Sequence, residues 1–300
     1  MFQKIIPYNA LHLLGDKIKD YAQLVKLRLS LTVVSSAVFA FVLASPAIAF
    51  LPMLYLVIAG FLVTASANII NQILEKDYDK LMKRTALRPL AAQRMQVPEA
   101  ILLAGICGVA GVVLLWLWFN TTAALIGSLS LFLYAFVYTP LKRISPIAVF
   151  WGAIPGALPP VIGWVAAANA LTYETLLLFA IQFLWQFPHF WAIGWIGYND
   201  YKKAGYKLLP TSYDGRNKIT ATQIIIYIWA LLVVSLIPYF IGFMGIIALV
   251  AAVLLGIMFL HYGIKLYREC SDGAALKLMF ASIIYLPVLQ LSMIVDKVLG

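Results

Sequence analysis

The chain has 300 residues, of which 63% are hydrophobic and only 11% charged, and its formal net charge is +10. A soluble domain has roughly a quarter of its residues charged, so the composition excludes water as the main solvent and points to an integral membrane protein.

At about 20 residues per crossing, the apolar runs predict transmembrane helices over 27–49, 52–74, 99–119, 121–139, 146–168, 172–198, 218–241, 243–263 and 275–298. The expected architecture is an all-α, polytopic bundle of about nine membrane helices, read as a single domain over 1–300. The segment ahead of the first span holds Asp16 and Asp20, has no Arg before Arg28 and contains no cleavable apolar region. It resembles neither a transit peptide nor a secretory signal, and a bacterial cytoplasmic (inner) membrane is the expected location.

All of the 22 Lys and Arg residues except Lys297 fall in the amino-terminal segment, beginning with Lys4, or next to loops on one side of the bundle. By the positive-inside rule the amino terminus and those loops are cytoplasmic and the carboxyl terminus is outside. The positive charge is thus mostly a topology signal, and no nucleic acid partner is invoked. Cys107 lies in a predicted span and Cys270 in a cytoplasmic loop, so neither a structural disulfide nor a reactive thiol is expected.

The outside connections are short, whereas the cytoplasmic loops around 75–98 and 199–217 are long and rich in charge. Long loops in a compact protein are commonly functional. They follow the second and sixth spans, which suggests two related four-helix halves and one extra helix.

The end of the second span carries the clearest chemistry. Asn71, Glu75 and Asp79 are spaced i, i+4, i+8, so a helix presents them on one face. An amide and two carboxylates are oxygen ligands suited to Mg²⁺, whose remaining positions go to water and substrate phosphate. Asp77 sits about 200° from Glu75 and is left out of that face. Lys80, Lys83, Arg84 and Arg88 follow closely, as expected where a diphosphate bridges metal and cations. The competing reading is a solvated helix end whose acids pair with Lys80 and Lys83. Against it stands Asn71, far inside an apolar stretch where an uncompensated amide is costly. In the second long loop Asp200 precedes Lys202 and Lys203, which reads either as a loop turn or as the second jaw of a diphosphate clamp.

These strings resemble the UbiA-type superfamily of intramembrane prenyltransferases, and within it the haem-farnesylating branch. The likeness rests on Asn71, Glu75 and Asp79; on Arg84, Thr85, Arg88, Pro89 and Leu90; on Tyr138 to Arg143; on Trp185 to Trp191; and on Asp200-Tyr201 with Ala204-Gly205. There are two departures. The second loop has a single Asp where quinone-forming relatives have several acids, and Lys26-Leu27-Arg28 stands where Lys-Pro-Arg is expected.

The resemblance implies farnesyl diphosphate and haem B as substrates and Mg²⁺ as cofactor. The allylic cation would be attacked by a haem vinyl carbon, and water would complete a hydroxyethylfarnesyl group. Asn71, Glu75, Asp79 and Asp200 would then serve as metal-binding and catalytic residues, and Arg28, Arg84, Arg88, Lys142, Lys202 and Lys203 would line the diphosphate pocket. A downstream haem-modifying enzyme or an oxidase assembly is a candidate product acceptor.

His189, next to Pro188 and about 15 Å inside the sixth span, is read in two ways. An interhelical hydrogen bond satisfies it, or it recognises haem as an iron ligand or ring contact. If its helix continues to Asp200, the two lie about 16 Å apart. Two other functions are weighed: prenylation of an aromatic quinone precursor, and a lipid or haem transporter with a polar site at the midplane.

Overall fold

The computed structural model describes residues 10–211 and 215–299, so Lys4 lies outside the described residues. Among these, every regular element is helical. An amphipathic helix α1 (Ala10–Leu24) precedes α2 (Leu27–Ala44), α3 (Phe50–Asp79) and α4 (Val97–Trp118). Next come α5 (Thr121–Phe132), a π-helical stretch (Leu133–Tyr138) and α6 (Thr139–Leu141), which run on as one span. The remainder is α7 (Ala148–Ala168), α8 (Tyr173–Ile196), α9 (Tyr198–Lys203), α10 (Lys218–Phe240), α11 (Ile246–Glu269) and α12 (Asp272–Leu299).

Nine helices among the described residues are long and apolar enough to cross a membrane. This agrees with the number predicted from sequence, and two boundaries move in ways that matter. The helix α3 continues to Asp79, which keeps the whole acidic series on one rigid element. The sixth span does not continue to Asp200. It ends at Ile196, and Gly197 (φ −85°, ψ 7°) redirects the chain into α9. The expected straight line from His189 to Asp200 is therefore broken.

Neighbouring helices pack in sequence around the bundle, and α12 returns to contact both α8 and α2. Two consecutive residues hold this closure. Asp296 accepts from the first-turn amides of Ile247 (3.1 Å) and Ala248 (2.7 Å), capping α11. Lys297 donates to the carbonyls of Val42 (2.7 Å), Leu43 (2.8 Å) and Ser45 at the end of α2. Orphan groups at two helix ends are thereby satisfied.

Helix α7 is the most enclosed span and contains Pro155, Pro159 and Pro160. Each proline removes the amide that would serve the carbonyl four residues earlier, freeing those of Trp151, Pro155 and Gly156. Two of these find partners on other helices: Ser130 donates to Pro155 (3.2 Å) and Gln182 to Gly156 (2.8 Å). Where α7 crosses α2, a Cβ on Gly163 would sit 1.8 Å from the Ala37 carbonyl oxygen.

That approach predicts a measurable cost. Gly163→Ala should lower stability by about 1–3 kcal/mol through forced separation of α2 and α7. Gly105→Ala, which meets nothing within 4 Å, should leave the thermal midpoint of the detergent-solubilised protein essentially unchanged. Equal midpoints for the two variants would contradict the packing argument.

Candidate active site

At the end of α3, Asn71, Glu75 and Asp79 are buried at 1, 5 and 1% exposure. Asp77 points the other way, exposed and paired with Lys76 (2.8 Å) and Lys80 (3.0 Å). The single-face reading of the spacing therefore holds in the structure. Lys76 and Lys80 pair with Asp77 and not with the buried acids.

Each buried group has a partner from a different part of the chain. Asn71 accepts from Lys26 Nζ (2.9 Å) and donates to Thr139 Oγ1 (3.1 Å), which in turn donates to the Tyr134 carbonyl (2.8 Å). Glu75 forms an ion pair with Lys142, and both side chains are largely enclosed. Asp79 receives Arg88 Nη1 at both carboxylate oxygens (2.9 and 2.8 Å), while Thr85 Oγ1 holds its backbone carbonyl (2.9 Å). Thr85 and Arg88 reach it because the loop after α3 turns back in a series of tight backbone hydrogen bonds.

Aromatic rings complete the enclosure. Lys142 Nζ lies 4.8 Å from the Tyr138 ring centre and 5.3 Å from that of Tyr206, within the range of cation–π attraction. Tyr206 comes from the second long loop. Burial, then Glu75 and Asp79, hold its hydroxyl well above the usual phenol range. Lys26 stands just ahead of α2 in the left-handed region (φ 48°, ψ 55°), a conformation costing a non-glycine residue about 1–2 kcal/mol. Burial, followed by repulsion from Arg88 and Lys142, lowers its amine to about 7.

The remaining sequence-predicted residues lie at the rim. Arg28 is exposed on α2, and Lys26, two residues earlier, is the cation that enters the cluster. Arg84 donates to the Tyr201 hydroxyl (3.2 Å) and ties the two long loops together. Asp200 pairs with Lys203 (3.5 Å), and Lys202 Nζ lies 6.0 Å from the Tyr198 ring. Among the described residues, no three His, Cys, Asp or Glu side chains are gathered into one metal-holding group.

His189 does not join the cluster. Its Nδ1 lies 2.8 Å from Ser282 Oγ on α12, and its ring stacks on Trp185 at 4.7 Å. The interhelical hydrogen bond weighed from sequence is thus present.

The donor set itself fits Mg²⁺: one amide and two carboxylates, buried, with cations nearby to receive phosphate. Buried acids with cations beside them at a helix end are a set suited to a metal-bound anion. The profile of the UbiA prenyltransferase family matches residues 33–284, and the chain belongs to that family. It is a multi-pass membrane prenyltransferase.

A relative named protoheme IX farnesyltransferase, from Cytophaga hutchinsonii, is 47% identical over 286 residues, covering 95% of this chain and 100% of that protein. A solved digeranylgeranylglyceryl phosphate synthase shares the fold with a TM-score of 0.79 at 22% identity, covering 95% of this chain and 100% of the other. A UbiA homolog from Archaeoglobus fulgidus, solved with GPP and Mg²⁺, superposes with a TM-score of 0.65 at 14% identity, covering 91% and 99% of the two chains.

The Glu75–Lys142 pair yields a prediction. Removing one member of a buried pair leaves an uncompensated charge, typically costing about 3–5 kcal/mol, whereas replacing both is far milder. Without substrate, Lys142→Met should unfold at a markedly lower temperature, and Glu75→Gln with Lys142→Met should recover most of the loss. A double variant as unstable as the sum of the singles would refute the pairing.

Proposed function

We propose that this prenyltransferase moves a farnesyl group from farnesyl diphosphate to a vinyl group of haem B, giving haem O. The observation that carries the chemistry is the buried Asn71–Glu75–Asp79 face with Lys142 and Arg88 against its acids. The name of the 47% identical relative supports the choice of donor and acceptor. In this reading the chain is one domain in a bacterial inner membrane, with the active face and amino terminus cytoplasmic, as the distribution of Lys and Arg suggests.

Asn71, Glu75 and Asp79 would hold Mg²⁺, and Asp200 would complete the set from the facing loop, whose Tyr201 already meets Arg84. Bound there, Mg²⁺ would supply positive charge to the leaving diphosphate. Arg88 and Lys142 would turn from the carboxylates to phosphate oxygens, aided at the rim by Arg28, Arg84, Lys202 and Lys203. These charge-assisted contacts strengthen as the carbon–oxygen bond breaks and negative charge collects on the diphosphate. Tyr138 and Tyr206 enclose the site and exclude water while the allylic carbon is cationic.

Purified protein supplied with Mg²⁺, haem B and labelled farnesyl diphosphate should yield a haem of increased mass carrying the label. Unmodified haem under conditions where the diphosphate binds would overturn the choice of acceptor. Asp79→Asn should reduce turnover by about 10²-fold or more with the helical content retained. Wild-type turnover with the same Mg²⁺ dependence would remove Asp79 from the metal set. Arg88→Ala should weaken farnesyl diphosphate binding about tenfold or more and leave haem binding intact, and the reverse pattern would exclude its assignment to phosphate.

A further inference from the structure

A cavity of about 460 Å³ lies between α7, α8, α10 and the segment leading into α10, toward the end of the bundle that carries the long loops. We propose that it is the loading site for the acceptor, a flat, lipophilic iron porphyrin with carboxylates at its edge. This rests on the reading of the acceptor given above and adds where that acceptor is received.

The walls are aromatic and fixed against each other. Phe187 stacks on Tyr227 at 4.2 Å, Trp191 meets the same ring edge-on at 5.2 Å, and Phe150 packs on Phe187 at 6.4 Å. Gln223 and Tyr227, both lining the cavity, are spaced i, i+4 and so share a face of α10. An amide and a phenol there have no role toward an acyl chain, because hydrocarbon offers them no hydrogen-bond partner. A ligand with a broad apolar face and a polar edge uses both kinds of wall. Lys207, bonded to the Ile144 carbonyl (3.3 Å), sets a cation two residues from the cavity-lining Pro146, where the ligand's carboxylates would emerge.

The cavity is also coupled to the diphosphate cluster through the chain. Lys207 N donates to the Lys142 carbonyl (2.7 Å), so the 206–210 segment is pinned to the helix end that bears Lys142. At one end of that segment Tyr206 faces Lys142, and at the other Pro210 lines the cavity. Four residues of extended chain span at most about 14 Å.

On α8, Phe187 and Trp191 are each two residues from His189 and so about 200° around the helix. His189 faces α12, where Ser282 engages it, and it stacks on Trp185 of its own helix. A cavity-bound porphyrin and a His189-bound porphyrin are therefore on opposite sides of one helix, and one experiment separates them.

In a Cys270→Ser background, Gln223→Cys is labelled with a maleimide fluorophore in phospholipid nanodiscs, with and without haem B. Haem should slow labelling about tenfold at saturation, Mg²⁺ with farnesyl diphosphate should not, and His189→Ala should leave the protection intact. Ile226→Trp, at the exposed lip of the cavity, should raise the haem concentration for half-saturation about tenfold without weakening diphosphate binding. Unprotected labelling in protein that still farnesylates haem, or protection lost only in His189→Ala, would overturn the loading site while leaving the reaction standing. Protection that depends on the phospholipid and not on haem would assign the cavity to lipid and overturn the proposal. Absence of any farnesylated haem from the unmodified protein would instead sink the reaction assigned above.

Discussion

Charge at the membrane boundary must be neutralised by neighbours, and the ion pairs Glu75–Lys142 and Asp79–Arg88 meet that requirement for the two acids of the site. Their burial would otherwise cost several kcal/mol per ion. The rest of the architecture follows from supplying those neighbours. Lys142 arrives at the end of the fourth span, Arg88 by the turn-back of the first long loop, and Lys26 from a strained position ahead of α2. Tyr206 then closes over the pair from the second long loop. Four distant segments thus converge on one helix end, so the site forms only when the bundle does.

The same principle of satisfied groups explains polar residues deep in the spans. Gln182 and Ser130 serve carbonyls freed by Pro160 and Pro159, and Asn68 donates to Ser30 at 3.0 Å. In lipid, helix-breaking prolines are tolerated where neighbouring helices take over the freed carbonyls. These side chains are accounted for by α7 and α3 packing, without a translocation path along the midplane. Ionisable charge is concentrated instead at the end of the bundle that carries both long loops.

Much of this was legible from residue order because it depends on local geometry. Asn71, Glu75 and Asp79 share a helix, and a period of 3.6 brings them together whatever the tertiary structure. Span number follows from apolar length in the same way. Partners separated by long stretches of chain carry no such local signal. Lys26 meets Asn71 across 45 positions, and from sequence it read as one more topological cation beside Arg28. Tyr206 was one tyrosine among 16. The end of α8 is left open by the sequence, because Gly194 and Gly197 can loosen a helix while the neighbouring apolar residues continue the pattern of a span; the structure breaks it at Gly197. His189 illustrates a different limit: a histidine in an apolar helix is unusual, yet only the position of Ser282 on α12 reveals how its Nδ1 is satisfied.

The paired state also suggests why carboxylates and cations alternate so closely. Two acids alone on a buried face would repel one another, and a bare cluster of cations would be equally unstable. Interleaving them gives a near-neutral arrangement that persists without ligand. In the proposed reaction a metal–diphosphate complex, carrying both signs of charge, would replace each internal pair with two new ones, acid to metal and cation to phosphate. That exchange would leave no charge unpartnered, and the protein would hold no empty, charged cavity at the membrane boundary between turnovers. It would also link the two long loops to substrate. Arg84 bonded to Tyr201, and Tyr206 against Lys142, join loop position to the orientation of the cations. Filling the site as proposed would therefore bear on the same segment that ends at Pro210, where the aromatic cavity begins.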